Sequence, residues 1–355
     1  MQYSNLDMGK KRESNIELLR IISMFLVLIT HASYVSLEPP SRIDIESSIG
    51  GAFLRGLSES FSEVCVNSFI LISGWFGIQA RLSRFAEFVF QILFISVTIY
   101  FITYMLGLSK PMSANECVDF ILFKYGSYWF VRAYIILYLF APVLNAFAEK
   151  CDRIQMKCFL TSFFFVQTIF GFYNSGSWFS GGYSPLSFMG LYLLARYMRQ
   201  FPNRFTQLNK AIDFSLYFII SILTAICSLA STYFFDKSGT VLFLYSSPLV
   251  ILSSLYFFLF FTKLSFQNSL INWISVSSFA VYLVHCSPAI FHPYYIDVIS
   301  HWFEVCTSAE FIIYVSGFII AVFIFSIMFD KIRIAVWKLI STPFLNLKSY
   351  GTNNK

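Results

Sequence analysis

Ten stretches of this chain are apolar over about the 17–25 residues that a helix needs to cross a bilayer. They cover residues 16–36, 61–78, 85–108, 128–147, 156–172, 183–198, 212–235, 240–261, 270–291 and 311–329. Within hydrocarbon every backbone N–H and C=O must be satisfied by the segment itself, which leaves helices as the solution for separate apolar runs. The expected fold is all-α: a polytopic bundle of about ten spans, one membrane domain over residues 1–355. The bundle proper covers 14–335, with tails at 1–13 and 336–355. Serine and glycine dilute the second segment, and the sixth is short; these two and the fifth carry the least signal.

Charge gives the orientation. With both termini cytoplasmic and the spans alternating, nineteen Lys and Arg residues fall inside and five outside, with Arg132 within the fourth span. That is the asymmetry that the positive-inside rule describes. Charged residues are 12% of the sequence, against about 25% in soluble domains, and hydrophobic ones 57%. The net charge of +6 is scattered between apolar runs, which argues against a nucleic-acid partner and for membrane lipid. Lys10, Lys11 and Arg12 precede the first apolar run as in a signal peptide, but the run is too long and has no small-x-small cleavage site, so it reads as a retained helix. Seven cysteines show no CxxC pair and no metal-ligand spacing. Cys117 and Cys306 fall in outer loops, where they could pair.

Titratable groups inside apolar spans are functional candidates by default. Arg20 and His31 lie in the first span, eleven positions apart, about three turns, so they share one helix face roughly 16 Å apart. Arg20 sits near the cytoplasmic end and His31 farther out. Histidine is the usual general base near neutral pH, its ordinary pKa being about 6.5; it can equally accept an acyl group itself, and the residues leave both roles open. Arg81 and Arg84 flank the short inner turn after Ser73-Gly74-Trp75. Two guanidiniums three apart suit a phosphate-rich ligand, although inner turns collect positive charge anyway. Small residues at Ser73 and Gly74 permit close helix approach or room for an elongated ligand. Trp129 opens the fourth span from outside with Arg132 a few residues in. Tyr282 and His285, three apart in the ninth span, share a face with Ser278. The aromatic, uncharged loop at 173–182 can stack on sugar rings or merely connect.

In order along the chain, these motifs resemble the acyltransferase family 3 membrane proteins, which move acyl groups, usually acetyl from acetyl-CoA, onto hydroxyls of sugars and other acceptors. The resemblance rests on Arg20 and His31, on Phe69-Ile70-Leu71-Ile72-Ser73-Gly74-Trp75, on the Arg81-x-x-Arg84 turn, on Trp129-Phe130-Val131 with Leu137-Tyr138-Leu139, and on Tyr282-Leu283-Val284-His285. It covers about residues 14–335. It implies a bacterial inner-membrane O-acyltransferase acting on a surface or capsular glycan, or on a lipid-linked saccharide. His31 would be the catalytic histidine, Arg20, Arg81 and Arg84 would handle an acyl-CoA donor, Ser73 and Gly74 would lie at that site, and Trp129, Arg132, Tyr282 and His285 would bind the acceptor or support His31. No metal or permanently bound cofactor is implied. The rival reading is a transporter or flippase of lipid-linked saccharides, for which internal repeats or paired broken helices would speak; the sequence shows neither.

Overall fold

The computed structural model describes residues 12–124, 126–173, 178–235 and 239–352, with side chains described through 341, that of Tyr173 excepted. Lys10, Lys11, Lys237, residues 174–177 of the aromatic loop and the end of the tail lie outside the described residues. Among the described residues the chain is helical and contains no strand.

The helix α1 (Ser14–Thr30) runs on through a π-helical turn at His31–Val35. Two helices follow, α2 (Arg42–Ser47) and α3 (Ile49–Ser62), and then α4 (Val64–Phe76), α5 (Leu82–Met105), α6 (Ala114–Ile121), α7 (Trp129–Lys150) and α8 (Arg153–Gln167). The second half consists of α9 (Pro185–Gln200), α10 (Lys210–Phe235), α11 (Pro248–Thr262), α12 (Ser269–Ser275), α13 (Ser278–His285), α14 (Asp297–Val305) and α15 (Ser308–Thr352).

Seven of the ten apolar segments form helices long and apolar enough to cross a membrane: Ser14–Val35, Leu82–Met105, Ala114–Lys150, Arg153–Phe172, Lys210–Phe235, Gly239–Thr262 and Ser308–Ser341. The second, sixth and ninth are shorter, at 13 residues for α4, 16 for α9, and 7 and 8 for the broken pair α12 and α13. Of these, α4, α9 and α13 lie inside the bundle, whereas α12 leaves Leu270 and Trp273 exposed at its edge. The central helix α1 is ringed by α3, α4, α11, α12, α13 and α15, and α4 packs between α1, α9 and α11. An element walled by protein rather than lipid need not match the hydrocarbon thickness, and its polar groups find partners. The peripheral helices instead turn apolar side chains outward: α10 exposes Phe214, Phe218, Ile219 and Ile226, and α15 exposes Ile312, Ile320 and Ile324.

Two glycines fix the geometry of α4. A Cβ at Gly74 would run into the backbone oxygen of Tyr192, so α4 and α9 cross in close contact there. Gly77 ends the helix with φ +75°, a conformation that glycine adopts without strain. Pro142 lies inside α7 without ending it. All seven cysteines are free. The possible Cys117–Cys306 pair is not formed: Cys117 is exposed on α6, whereas Cys306 lines a groove with Arg55 and Phe311.

Candidate active site

The face of α1 that carries Arg20 continues through Met24 and Val27 to His31, at intervals of four, three and four residues, the spacing of a single helical stripe. Arg20 lines one cavity, termed inner; Met24, Val27 and His31 line a second, termed outer.

The inner cavity is bounded by Arg20, Ser73, Gln79, Arg84, Glu87, Gln91 and Tyr138. Arg20 Nη1 lies 3.1 Å from both carboxylate oxygens of Glu17, one turn earlier. The Ser275 hydroxyl donates to the same buried carboxylate. The cation is thus oriented by a paired, hydrogen-bonded acid, the condition under which a buried charge is tolerated. Arg333, fully buried, bonds Asp330 through Nε (2.9 Å) and lies 3.8 Å from Glu87, while Gln91 donates to Asp330 (3.0 Å). This network holds the α5 wall of the cavity. The turn bearing the two arginines is pinned by three side chains. The Ile78 N–H donates to the Tyr192 hydroxyl (2.9 Å), which donates to Asn145 Oδ1 (2.6 Å); Asn145 Nδ2 donates to the Ile78 carbonyl (2.9 Å). The Arg81 N–H donates to the Tyr138 hydroxyl at 3.0 Å.

The outer cavity is bounded by Thr30, His31, Cys65, Trp129, Tyr245, Tyr282 and apolar residues. His31 sits where the α1 ladder widens: the Ser36 N–H bonds the His31 carbonyl, and the Tyr295 hydroxyl donates to the Leu28 carbonyl at 2.8 Å. Such π-turns occur frequently at functional sites. His31 Nδ1 lies 2.9 Å from His285 Nε2, and His285 Nδ1 lies 2.5 Å from the Val281 carbonyl. A carbonyl only accepts, so His285 Nδ1 carries the proton and its Nε2 is an acceptor. His31 Nδ1 therefore donates, and the lone pair of His31 resides on Nε2. The backbone carbonyl selects the tautomer of one imidazole, and that imidazole selects the tautomer of the next. Tyr128, almost fully buried, steadies α13 by donating to the Leu283 carbonyl (2.9 Å), and Tyr282 donates to the Ser127 carbonyl (2.6 Å).

Two groups of side chains emerge. Arg20, Ser73 and Arg84 meet at the inner cavity; His31, Trp129, Tyr282 and His285 meet at the outer one. Three sequence candidates stand apart. Arg81 is exposed, its guanidinium on Gln79 (3.1 Å). Gly74 is a packing position against α9. Arg132 donates to the Lys124 carbonyl (2.9 Å) in the first turn of α7 and lines neither cavity. Ser278 bonds back to the Ser275 carbonyl and serves the α12–α13 break. Between the cavities stands an aromatic partition: Phe88 and Phe279 have ring centroids 5.6 Å apart, Phe130 and Tyr134 5.8 Å, and Phe69 and Phe130 6.3 Å. The inner cavity offers about 80 Å³ and the outer about 30 Å³, the latter room for a water or two, so an extended ligand must displace partition side chains.

A family model described as an acyltransferase domain matches residues 13–330, nearly the whole chain. The chain belongs to acyltransferase family 3. It is a membrane acyltransferase with a multi-pass helical body. Among curated proteins and among solved structures nothing matches it.

In this family 3 acyltransferase a thiol stands beside the two imidazoles. Cys286 lies 3.3 Å from His285 Nε2 and 3.7 Å from His31 Nδ1, so three possible metal ligands fall within 4.8 Å, a grouping that sequence spacing does not reveal. Two imidazole nitrogens on one tetrahedral zinc, each about 2.0–2.1 Å from it, would sit roughly 3.3 Å apart. The observed 2.9 Å is the spacing of an N–H···N hydrogen bond. The residues fit a histidine pair better than a metal centre. Sequence reasoning gave no role to Glu17, Glu87, Gln91, Asn145, Tyr192 and Cys286. Glu17 had a signal in its three-residue spacing from Arg20 and Cys286 in its place next to His285; the others act through contacts between distant segments.

Proposed function

We propose that this protein is an O-acyltransferase of the bacterial inner membrane that moves acetyl from acetyl-CoA to a hydroxyl of a surface or capsular glycan. About ten passages with both termini in the cytoplasm put Arg20 toward the donor's side and His31 toward the acceptor's. The observation that carries the reading is the 2.9 Å contact of His31 with His285, on the stripe of α1 that begins at Arg20.

In this reading Arg20 and Arg84 hold the donor's phosphates at the inner cavity, with Arg81 at its rim, because guanidinium forms bidentate bonds to phosphate oxygens. Ser73, which lines the inner cavity and lies 3.4 Å from the hydroxyl of Tyr134 in the aromatic partition, borders the path of the acyl arm. His31 Nε2 removes the proton of the acceptor hydroxyl as its oxygen attacks the thioester carbonyl. The C–S bond then breaks, and the thiolate takes the proton from His31. His285 holds the tautomer that this cycle needs, as the third member of a triad does for a catalytic histidine. Trp129 and Tyr245, stacked at 5.8 Å beside the outer cavity, offer ring faces to a sugar. The test is to compare by mass the surface glycans of a deletion strain and its parent. Loss of an acetyl increment, restored by the wild-type gene and not by H31A, is expected; unchanged glycans would refute the acceptor class.

A further inference from the structure

Thr30 brings to the outer cavity a hydroxyl to which the mechanism above gives no task. Thr30 precedes His31, is 5% exposed and lines the same cavity. Its Oγ1 has no hydrogen-bond partner among the described residues. A helical threonine ordinarily bonds its hydroxyl back to the carbonyl three or four positions earlier. In this bundle Thr103, Thr168, Thr224, Thr232 and Thr262 do so at 2.7–3.2 Å. Burying a hydroxyl without a partner is unfavourable, so Thr30 carries a cost that no contact within the fold offsets. Ser23, Ser247, Ser277 and Ser287 also have unpartnered buried hydroxyls, but only Thr30 opens onto the cavity beside the histidine pair.

We propose that Thr30 is a catalytic residue of the acyl transfer, its Oγ1–H donating to the thioester carbonyl oxygen as that oxygen gains charge. The proposal rests on the acyl-transfer reading above. When the acceptor oxygen bonds to the carbonyl carbon, its proton passes to His31 Nε2, and the carbonyl π pair moves to the oxygen that faces Thr30. When the tetrahedral adduct collapses, that pair re-forms the carbonyl, the C–S bond breaks, and the thiolate takes the proton from His31. Thr30 keeps its own proton throughout. Preorganised donors of this kind act where water is excluded, and Thr30 and His31 line the same cavity.

The experiment uses inverted membrane vesicles containing the full-length protein and the native acceptor, supplied with acetyl-labelled acetyl-CoA. Wild type is compared with T30V, T30S and H31A at matched protein levels. Removing one such donor costs about 10²–10³-fold in kcat, so T30V should lose that much with the KM for acetyl-CoA little changed, while T30S should keep most of the rate. Purified T30V should melt no lower than wild type, because the deleted hydroxyl has no partner in the fold. A T30V rate equal to wild type beside an inactive H31A would overturn the proposal and leave the acyl-transfer reading intact. Equal losses in T30V and T30S with a lowered Tm would overturn it in favour of packing. An H31A rate equal to wild type would overturn the acyl-transfer reading itself.

Discussion

His31 and His285, 254 positions apart in the chain, meet at 2.9 Å, and the second is fixed in turn by the carbonyl of Val281. A base held this way depends on its neighbour for tautomer and aim. Replacing His285 by alanine should therefore lower kcat by about 10²–10⁴-fold, the range for an orienting partner of a catalytic histidine. The KM for acetyl-CoA should stay nearly constant, because His285 is remote from the inner cavity. A pure loss of donor affinity in steady-state kinetics would contradict the assignment.

The two arginines of the inner turn should behave differently. Arg84 lines the inner cavity and Arg81 is exposed. A charge-assisted hydrogen bond contributes about 1.5–3 kcal/mol, or roughly 10–150-fold. R84A should raise the KM for acetyl-CoA by an amount in that range. R81A should have a smaller effect that fades with added salt, as for exposed charges. Equal effects at all ionic strengths would mean that both reach the donor alike.

Gly74 offers a test of the architecture separate from the chemistry. Any side chain there meets the Tyr192 backbone where α4 and α9 cross. G74A should destabilise the protein by about 1–3 kcal/mol, the usual cost of overpacking, measured as a lower Tm in detergent. An unchanged Tm would contradict the close crossing. Ser73, which faces the inner cavity one position earlier, should accept alanine with little loss of stability.

The grouping of His31, His285 and Cys286 predicts indifference to metals. Prolonged chelation should leave transfer unchanged, and elemental analysis of purified protein should find no stoichiometric zinc. Activity lost to the chelator and restored by zinc would replace the histidine pair with a metal centre.

Much of this molecule was legible in the sequence, and the exceptions follow one physical line. The Arg20–His31 stripe was readable because helical periodicity is local, and the long lipid-facing helices because hydrocarbon imposes a minimum length. The segments at 61–78, 183–198 and 270–291 read as spans but fold as short or broken helices; neighbouring helices enclose α4, α9 and α13 and relieve them of the bilayer's demand. Arg132 looked buried in an apolar run, yet it turns to the Lys124 carbonyl at the N-terminal end of α7. The tie of Tyr192 and Asn145 to Ile78 and the meeting of His285 with His31 join segments far apart in the chain, so no local pattern announces them.

The most direct test is thioester cleavage by the purified protein in lipid nanodiscs, followed as free CoA released from acetyl-CoA in the presence of the parent strain's isolated glycan. Wild type should release CoA in proportion to acetyl gained by the glycan, and H31A, folded by its melting curve, should fall by at least about 10²-fold. Undiminished CoA release by a folded H31A would contradict the account.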